Sequence, residues 1–141
     1  MSAYVSTALR QLVVERAIGR CEYCLIPNDV VLVPHEVDHI IALKHGGLTE
    51  SDNLALSCTL CNKHKGSDLA SLDPDTGSVV ALFHPRRDTL TEHFKTDDGQ
   101  IMPLTAAGRV TVKLLQLNAP ERVEERRLLI LSGVWVVSAI D

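Results

Sequence analysis

Aromatic side chains are scarce: they make up 4% of the 141 residues, and only two methionines are present. With so few large rings, the core must be aliphatic, built from Val, Leu, Ile and Ala. Long apolar runs are missing as well. No stretch approaches the roughly 20 apolar residues of a membrane span. The nearest approach, LLILSGVWVVSAI at residues 128–140, is too short. The N-terminus shows no basic region followed by an apolar run, so no secretory leader is expected and the reading is a cytoplasmic protein. Nor is there a basic excess, since the net charge is −4 and the pI about 5.8. That argues against broad coating of nucleic acid but leaves room for a local basic groove. Finally, four cysteines in a reducing compartment are not expected to pair as disulfides.

What is present suits one globular domain over residues 1–141, or a core with an extension. Hydrophobic residues are 45% and charged residues 23%, near globular averages. In STALRQLVVERAI, residues 6–18, a helical stripe holds Leu9, Leu12, Val13, Arg16 and Ala17, apolar except for Arg16. Ser6 or Thr7 can cap it and Gly19 can end it. The β-branched run DVVLVPHEVDHII predicts one strand around residues 30–33 and another around 36–40, with Pro34 between. LKHGGLTESDN reads as a loop and LALSC as a short strand. A helix is expected from Asn62, weakened by Gly66. Strands are expected at 78–83, 90–96 and 100–104, the last two joined by a DDG turn, with Pro103 at an edge. Thr105 caps a helix to about Leu117, and Pro120 opens a final one.

The cysteines form two knuckles, Cys21-x-x-Cys24 and Cys58-x-x-Cys61, with 33 residues between them. Two rigid thiolate pairs suit tetrahedral zinc, and a closed four-cysteine site leaves no open position. The expected zinc is therefore structural and contributes directly to folding. The competing readings are reduced core thiols or a redox CxxC.

Between the knuckles stand EVDHIIALKHGG, then NLALSC, then CNKHKG. This order resembles the HNH endonuclease family with its ββα-metal motif. The features are an Asp-His pair at a strand end, a glycine loop, an Asn-Leu entering the next strand and a CN..K helix start. Both knuckles fit the zinc-bearing branch of that family. LDPDTG, LFHPRRD, EHF, DG and LTAAGRVTV look like segments of bacterial stand-alone HNH proteins, so the likeness extends over most of the chain. The resemblance implies an α+β fold. Its parts would be a ββα-metal core at about 21–68 stapled by the zinc, an N-terminal helix, and a β-hairpin and helical extension at about 73–141. The implied activity is a metal-dependent endonuclease acting on DNA, with 5′-phosphate and 3′-hydroxyl products.

Phosphodiester hydrolysis needs a deprotonated water, a stabilised pentavalent phosphate and a neutralised leaving oxygen. A histidine near its natural pKa can take the proton at neutral pH. A divalent ion on oxygen ligands can meet the other two needs. Asp38 offers a carboxylate and Asn62 a carbonyl oxygen, a hard set that favours Mg²⁺ or Mn²⁺ over another zinc. By resemblance, His39 is the general base, Asp38 and Asn62 are ligands, and Asn53 orients the base. Adjacent strand residues point to opposite faces, so Asp38 and His39 can face different partners. Position 62 is Asn where the family name implies His. His64 is the alternative ligand, but at about 100° per residue it sits about 200° around a helix from Asn62, so the two cannot readily share one ion.

The remaining candidates are phosphate contacts. Lys44 and His45 lie in the glycine loop, and Lys63 and Lys65 beside His64. Arg86 and Arg87 lie in a turn, where a forked guanidinium suits phosphate. For each the plainer alternative is a solvated residue or, for the arginines, a turn tied to Asp88. For His39 the plainer alternative is a hydrogen-bonded, half-buried strand residue. His35 is expected at the surface, His93 in a structural role, and Arg122, Arg126 and Arg127 on a solvated face with their glutamates. The expected partner is nucleic acid, most readily DNA, with no membrane and a possible homodimer. The alternative function is a zinc-knuckle module that binds nucleic acid or protein without cutting.

Overall fold

The computed structural model describes residues 4–135. The chain divides after Ser67 into two compact units. Both mix short helices and two-stranded antiparallel ladders.

The first unit opens with helix α1, Thr7–Arg16, capped by the Ser6 hydroxyl, which accepts from the Leu9 N–H at 3.1 Å. Strand β1, Glu36–His39, pairs antiparallel with β2, Leu54–Ser57, in the register Glu36↔Ser57, Val37↔Leu56, Asp38↔Ala55 and His39↔Leu54. Helix α2 follows as Thr59–Lys65. β2 is buried along its whole length. Beyond its pairing with β1, it exchanges bonds with the first knuckle: the Glu22 N–H donates to the Leu56 carbonyl, and the Leu56 N–H to the Glu22 carboxylate, both at 2.8 Å. One apolar cluster joins α1 to the ladder. Val13, Leu54 and Leu56 are buried, with Val5, Leu9, Ala17 and Val37 packed against them. Leu12, placed on the apolar stripe of α1, is 46% exposed. Arg16 earns its place on that stripe differently: its guanidinium donates to the Leu54 carbonyl at 2.8 Å.

The second unit holds β3, Ala70–Leu72, paired with β4, Val79–Ala81, and β5, Phe94–Asp97, paired with β6, Gln100–Pro103. A single helical turn, α3, Leu90–His93, precedes β5. Helix α4, Ala106–Leu114, packs on β3, β4 and β6, and α5 is Pro120–Leu131. Thr105 caps α4 through its hydroxyl, and Pro120 stands at the start of α5, both as expected. Phe83 meets Phe94 edge-on at 5.3 Å between centroids. Ile101, Val110, Leu115, Leu117 and Trp135 are almost fully buried.

Several expectations change. Residues 30–33 are not a strand: a 3₁₀ turn covers Asn28–Val30, and Leu32 and Val33 are exposed, with no partner strand among the described residues. Residues 90–93 are a helical turn, not a strand. The helix expected from Asn62 begins at Thr59 and stops at Lys65, because Gly66 leaves the helical region at φ +52° and residues 70–72 pair as β3. Arg122 and Arg126 are buried rather than solvated, their guanidiniums satisfying backbone carbonyls; only Arg127 of the three faces solvent. His35 is buried too, its Nε2 at 2.8 Å from the Ile26 carbonyl oxygen. The apolar run at 128–140 extends beyond the described residues, and among these no helix is long and apolar enough to cross a membrane.

Candidate metal centre and nuclease site

The four cysteines converge. The sulfur atoms of Cys21, Cys24, Cys58 and Cys61 all lie within 4.8 Å of one another, and all four residues are buried. A tetrahedron with metal–sulfur bonds of about 2.3 Å has edges of about 3.8 Å. The Cys24–Cys58 separation is 3.7 Å, so that edge of the cluster matches a zinc site. The local backbone explains why. The first knuckle closes as the Cys21 N–H donates to the Ile26 carbonyl and the Leu25 N–H to the Cys21 carbonyl, with Leu25 turned to φ +64°. The second knuckle is the first turn of α2, where Cys58 is the N-cap and its sulfur accepts from the Cys61 N–H at 3.4 Å. Burial pushes the Cys21 thiol well up. Contact with the Cys21 thiol, then with Cys24 and Cys58, does the same to Cys61, while Cys58, with Cys21 as its main donor, is lowered. Four converging sulfur atoms are a donor set that a divalent ion can draw into thiolate bonds.

Next to this cluster, β1 ends in Asp38 and His39. The Asp38 side chain is 10% exposed and forms an ion pair with Lys65, whose Nζ lies 3.0 Å from Oδ2 and is itself 3% exposed. Burial raises the Asp38 carboxyl above its ordinary value, opposed by the charges of Lys65 and then His39. Tyr23, buried, has its phenol pushed well up by burial first and then by Asp38, Cys21 and Cys61. Its hydroxyl thus lies within electrostatic reach of both the thiol cluster and the carboxylate.

His39 is half-buried, with Nε2 2.9 Å from the Thr49 hydroxyl. That leaves Nδ1 as the nitrogen for another partner. Asn53 does not hold the imidazole. It is 8% exposed and braces the loop that follows: the Ile41 N–H donates to its Oδ1, and its Nδ2 donates to the Ile41 and Leu48 carbonyls, each at 2.9 Å. Its own carbonyl accepts from the Ile40 N–H at 2.8 Å. Asn53 therefore fixes the backbone on both sides of the glycine loop, and Thr49, carried by that loop, meets the ring. The paired glycines are required. Gly46 sits at φ +92°, and a Cβ on Gly47 would lie 1.7 Å from the Ile41 carbonyl oxygen.

Asn62 donates through Nδ2 to the Glu36 carboxylate at 2.6 Å. A carboxylate only accepts, so the amide oxygen is turned to its other side. Glu36 and Asp38 share one face of β1. Asn62 and Lys65, one helical turn apart, each reach that face. Asn62 is thereby set on the face of α2 that meets β1, while His64, half-buried, occupies another direction of the helix. The hard oxygens of Asp38 and Asn62 fit a Mg²⁺ or Mn²⁺ ion in donor chemistry.

The phosphate-contact candidates divide. Lys44, His45 and Lys63 are exposed. Lys65 is not a surface contact, because its ammonium is buried against Asp38. In the second unit, His84–Asp88 is a turn closed from within. The Arg86 and Arg87 N–H groups donate to His84 Nδ1, and the His84 N–H donates to the Asp88 carboxylate. Arg87 is exposed and Arg86 partly so. His93 is structural, with Nδ1 2.6 Å from the Thr105 hydroxyl.

Residues 21–68 match the family model described as HNH endonuclease. An HNH domain occupies that part of the chain. HNH domains act on nucleic acid, and the family consists mainly of nucleases. The matched stretch begins at the first knuckle cysteine and closes just after Gly66, so it contains both knuckles, the Asp38-His39 pair, Asn53 and Asn62. No curated protein and no solved structure matches the chain. Three residues of the site escaped the sequence reading in their actual roles: Glu36, Thr49 and Lys65. The period of two from Asp38 could have flagged Glu36, and the one-turn spacing from Asn62 could have flagged Lys65. Nothing local marks Thr49.

Proposed function

We propose that this protein is an endonuclease that hydrolyses DNA phosphodiester bonds with a divalent ion, as one HNH domain whose extension is residues 73–141. The observation that carries the reading is the pairing of a half-buried imidazole, held through Nε2 by Thr49, with the buried Asp38 beside it in the strand.

His39 is the general base. In the tautomer whose Nε2 donates to Thr49, the Nδ1 lone pair accepts the proton of the attacking water. Thr49 and the Asn53-braced loop keep the ring from turning, so the basic nitrogen stays aimed without reorganisation. Asp38 and Asn62 would hold a Mg²⁺ or Mn²⁺ ion. When bound, that ion supplies charge stabilisation for the phosphorane and the 3′ leaving oxygen. Glu36 keeps the Asn62 amide oxygen free for this purpose. Zinc on the four cysteines has no open position and serves the fold. Lys44, His45 and Lys63 are exposed and can meet the phosphate backbone, which favours binding with little sequence preference.

The test is plasmid nicking by purified protein with Mg²⁺ or Mn²⁺. Wild type should nick and leave 5′-phosphate ends, and His39→Ala should fall by about 10²–10⁴-fold, the usual contribution of a positioned base. Cutting by His39→Ala at the wild-type rate would overturn the proposal. Binding of DNA with no cutting in any divalent metal would favour the non-catalytic module.

A further inference from the structure

We infer that Lys65 is a positioning residue for the catalytic ion: it holds one oxygen of Asp38 so that the carboxylate meets the ion through the other oxygen alone. The inference rests on the nuclease reading above and deepens it.

A lysine 3% exposed is unusual unless its charge is compensated. Here the ammonium donates to two backbone carbonyls, His39 at 3.3 Å and Gly66 at 3.5 Å, and stands 3.0 Å from Asp38 Oδ2 as an ion pair. The two carbonyls belong to the end of β1 and the end of α2. The ammonium is therefore fastened to the backbone on both sides of the site and does not depend on Asp38 for its place. A cation arriving at Asp38 cannot expel it without taking the donor from both carbonyls. Oδ2 thus remains committed to Lys65, and Oδ1 is the oxygen left for the ion. The same face of β1 shows the matching arrangement one step away, where Asn62 donates to Glu36 and keeps its own oxygen free. Two side chains of α2 thus each meet an acid of β1: Lys65 commits one oxygen of Asp38, and Asn62 gives its amide protons to Glu36. What remains is one oxygen from Asp38 and one from Asn62.

The contact with His39 extends the consequence. Lys65 donates to the backbone carbonyl of the proposed base as well as to the ligand beside it. One ammonium sets the spacing between the group that takes the proton and the group that holds the ion.

The test is Mn²⁺ affinity of the zinc-loaded full chain without nucleic acid, read by calorimetry or by the free-Mn²⁺ spin signal. Zinc content and amide protection of β1 and β2 are followed in parallel. Lys65→Met should weaken Mn²⁺ binding by about 10–100-fold, the usual cost of losing a group that orients a ligand. Lys65→Gln, which still donates, should lose less. In an Asp38→Asn background, Lys65→Met should add no further loss. Unchanged or tighter Mn²⁺ binding by a folded Lys65→Met overturns the inference, since the ammonium is then a bystander or a competitor. If Lys65→Met does not fold, Lys65→Gln decides by the same criterion. A wild type that nicks plasmid while both variants bind Mn²⁺ normally refutes the role of Lys65 alone. A wild type that neither binds Mn²⁺ nor nicks refutes the nuclease reading, and this inference with it.

Discussion

The two units solve the same problem by different means. Each is built from strands of three or four residues, which bury little on their own. Among the described residues the first unit buries eight apolar side chains, with Val13, Leu54 and Leu56 clustered, and then four thiols. The second buries nine, with two phenylalanines and the single tryptophan, and encloses charged side chains held by hydrogen bonds. Arg122 donates to the Leu115 and Gln116 carbonyls, and Arg126 to those of Gly99 and Leu117 and to the Asn118 side chain. These guanidiniums satisfy the open end of α4 and the turn of the β5–β6 hairpin. Asp73, 1% exposed, takes a forked pair of bonds from Arg109 at 2.8 Å each. A small core needs a staple, and the staple is a four-cysteine cluster able to hold a metal in one unit and arginine networks in the other.

The sharpest way to test that contrast is to remove the metal. Structural zinc in small domains is worth about 10–16 kcal/mol of apparent binding energy, most of it folding energy. Strong chelation, or Cys58→Ser, should abolish amide protection across residues 21–65 while Trp135 fluorescence still reports a folded second unit. Simultaneous loss of both signals would show that the two staples are not independent.

A smaller effect is expected from the opposite staple. Arg126→Ala leaves two buried carbonyls without donors, and each costs about 1–3 kcal/mol. Urea unfolding followed by Trp135 should shift accordingly, and zinc stoichiometry should not change.

Next comes Asn53→Ala, within the first unit. It frees the Ile41 and Leu48 backbone groups, with a loss of about 1–3 kcal/mol. Hydrogen exchange should rise at Ile41 with the cysteine site still loaded. That would separate the loop brace from the metal staple.

The smallest effect is in acid. The Arg109 guanidinium holds the Asp73 carboxyl well below the usual carboxylate range. A depressed folded value means the stabilisation is present above the ordinary carboxylate pKa of about 4 and is lost as pH falls towards the folded value. The urea midpoint of the second unit should therefore drop between pH of about 5 and about 2, and Asp73→Asn should flatten that dependence.

Much of the first unit was legible because its chemistry is written in short spacings. The two CxxC pairs predicted a cluster, and the sulfurs converge. The Asp38-His39 pair, the glycine loop, the caps Ser6 and Thr105 and the helix start at Pro120 depend on neighbours within a few positions, and they stand where the local pattern put them. The errors share one cause. Residues 30–33 have β-branched composition but no partner strand, and pairing is a property of two segments, not one. Arg122 and Arg126 alternate with glutamates as a solvated helix would, yet they point inward, because the carbonyls that need them come from α4 and the β5–β6 turn. His35 likewise turns inward because the Ile26 carbonyl waits there.

The sequence by itself determined which atoms are available for chemistry: four soft thiols in two rigid pairs, one imidazole next to a carboxylate, and one amide oxygen at a helix start. Side-chain type and local spacing settle those. Only the tertiary structure decided how each donor is committed. Thr49 takes one nitrogen of His39, Lys65 takes one oxygen of Asp38, and Glu36 takes the amide protons of Asn62. Two of those partners come from distant positions and the third from across a loop. A hydrogen bond or ion pair is a relation in space, fixed only when β1, its loop and α2 have closed on one another.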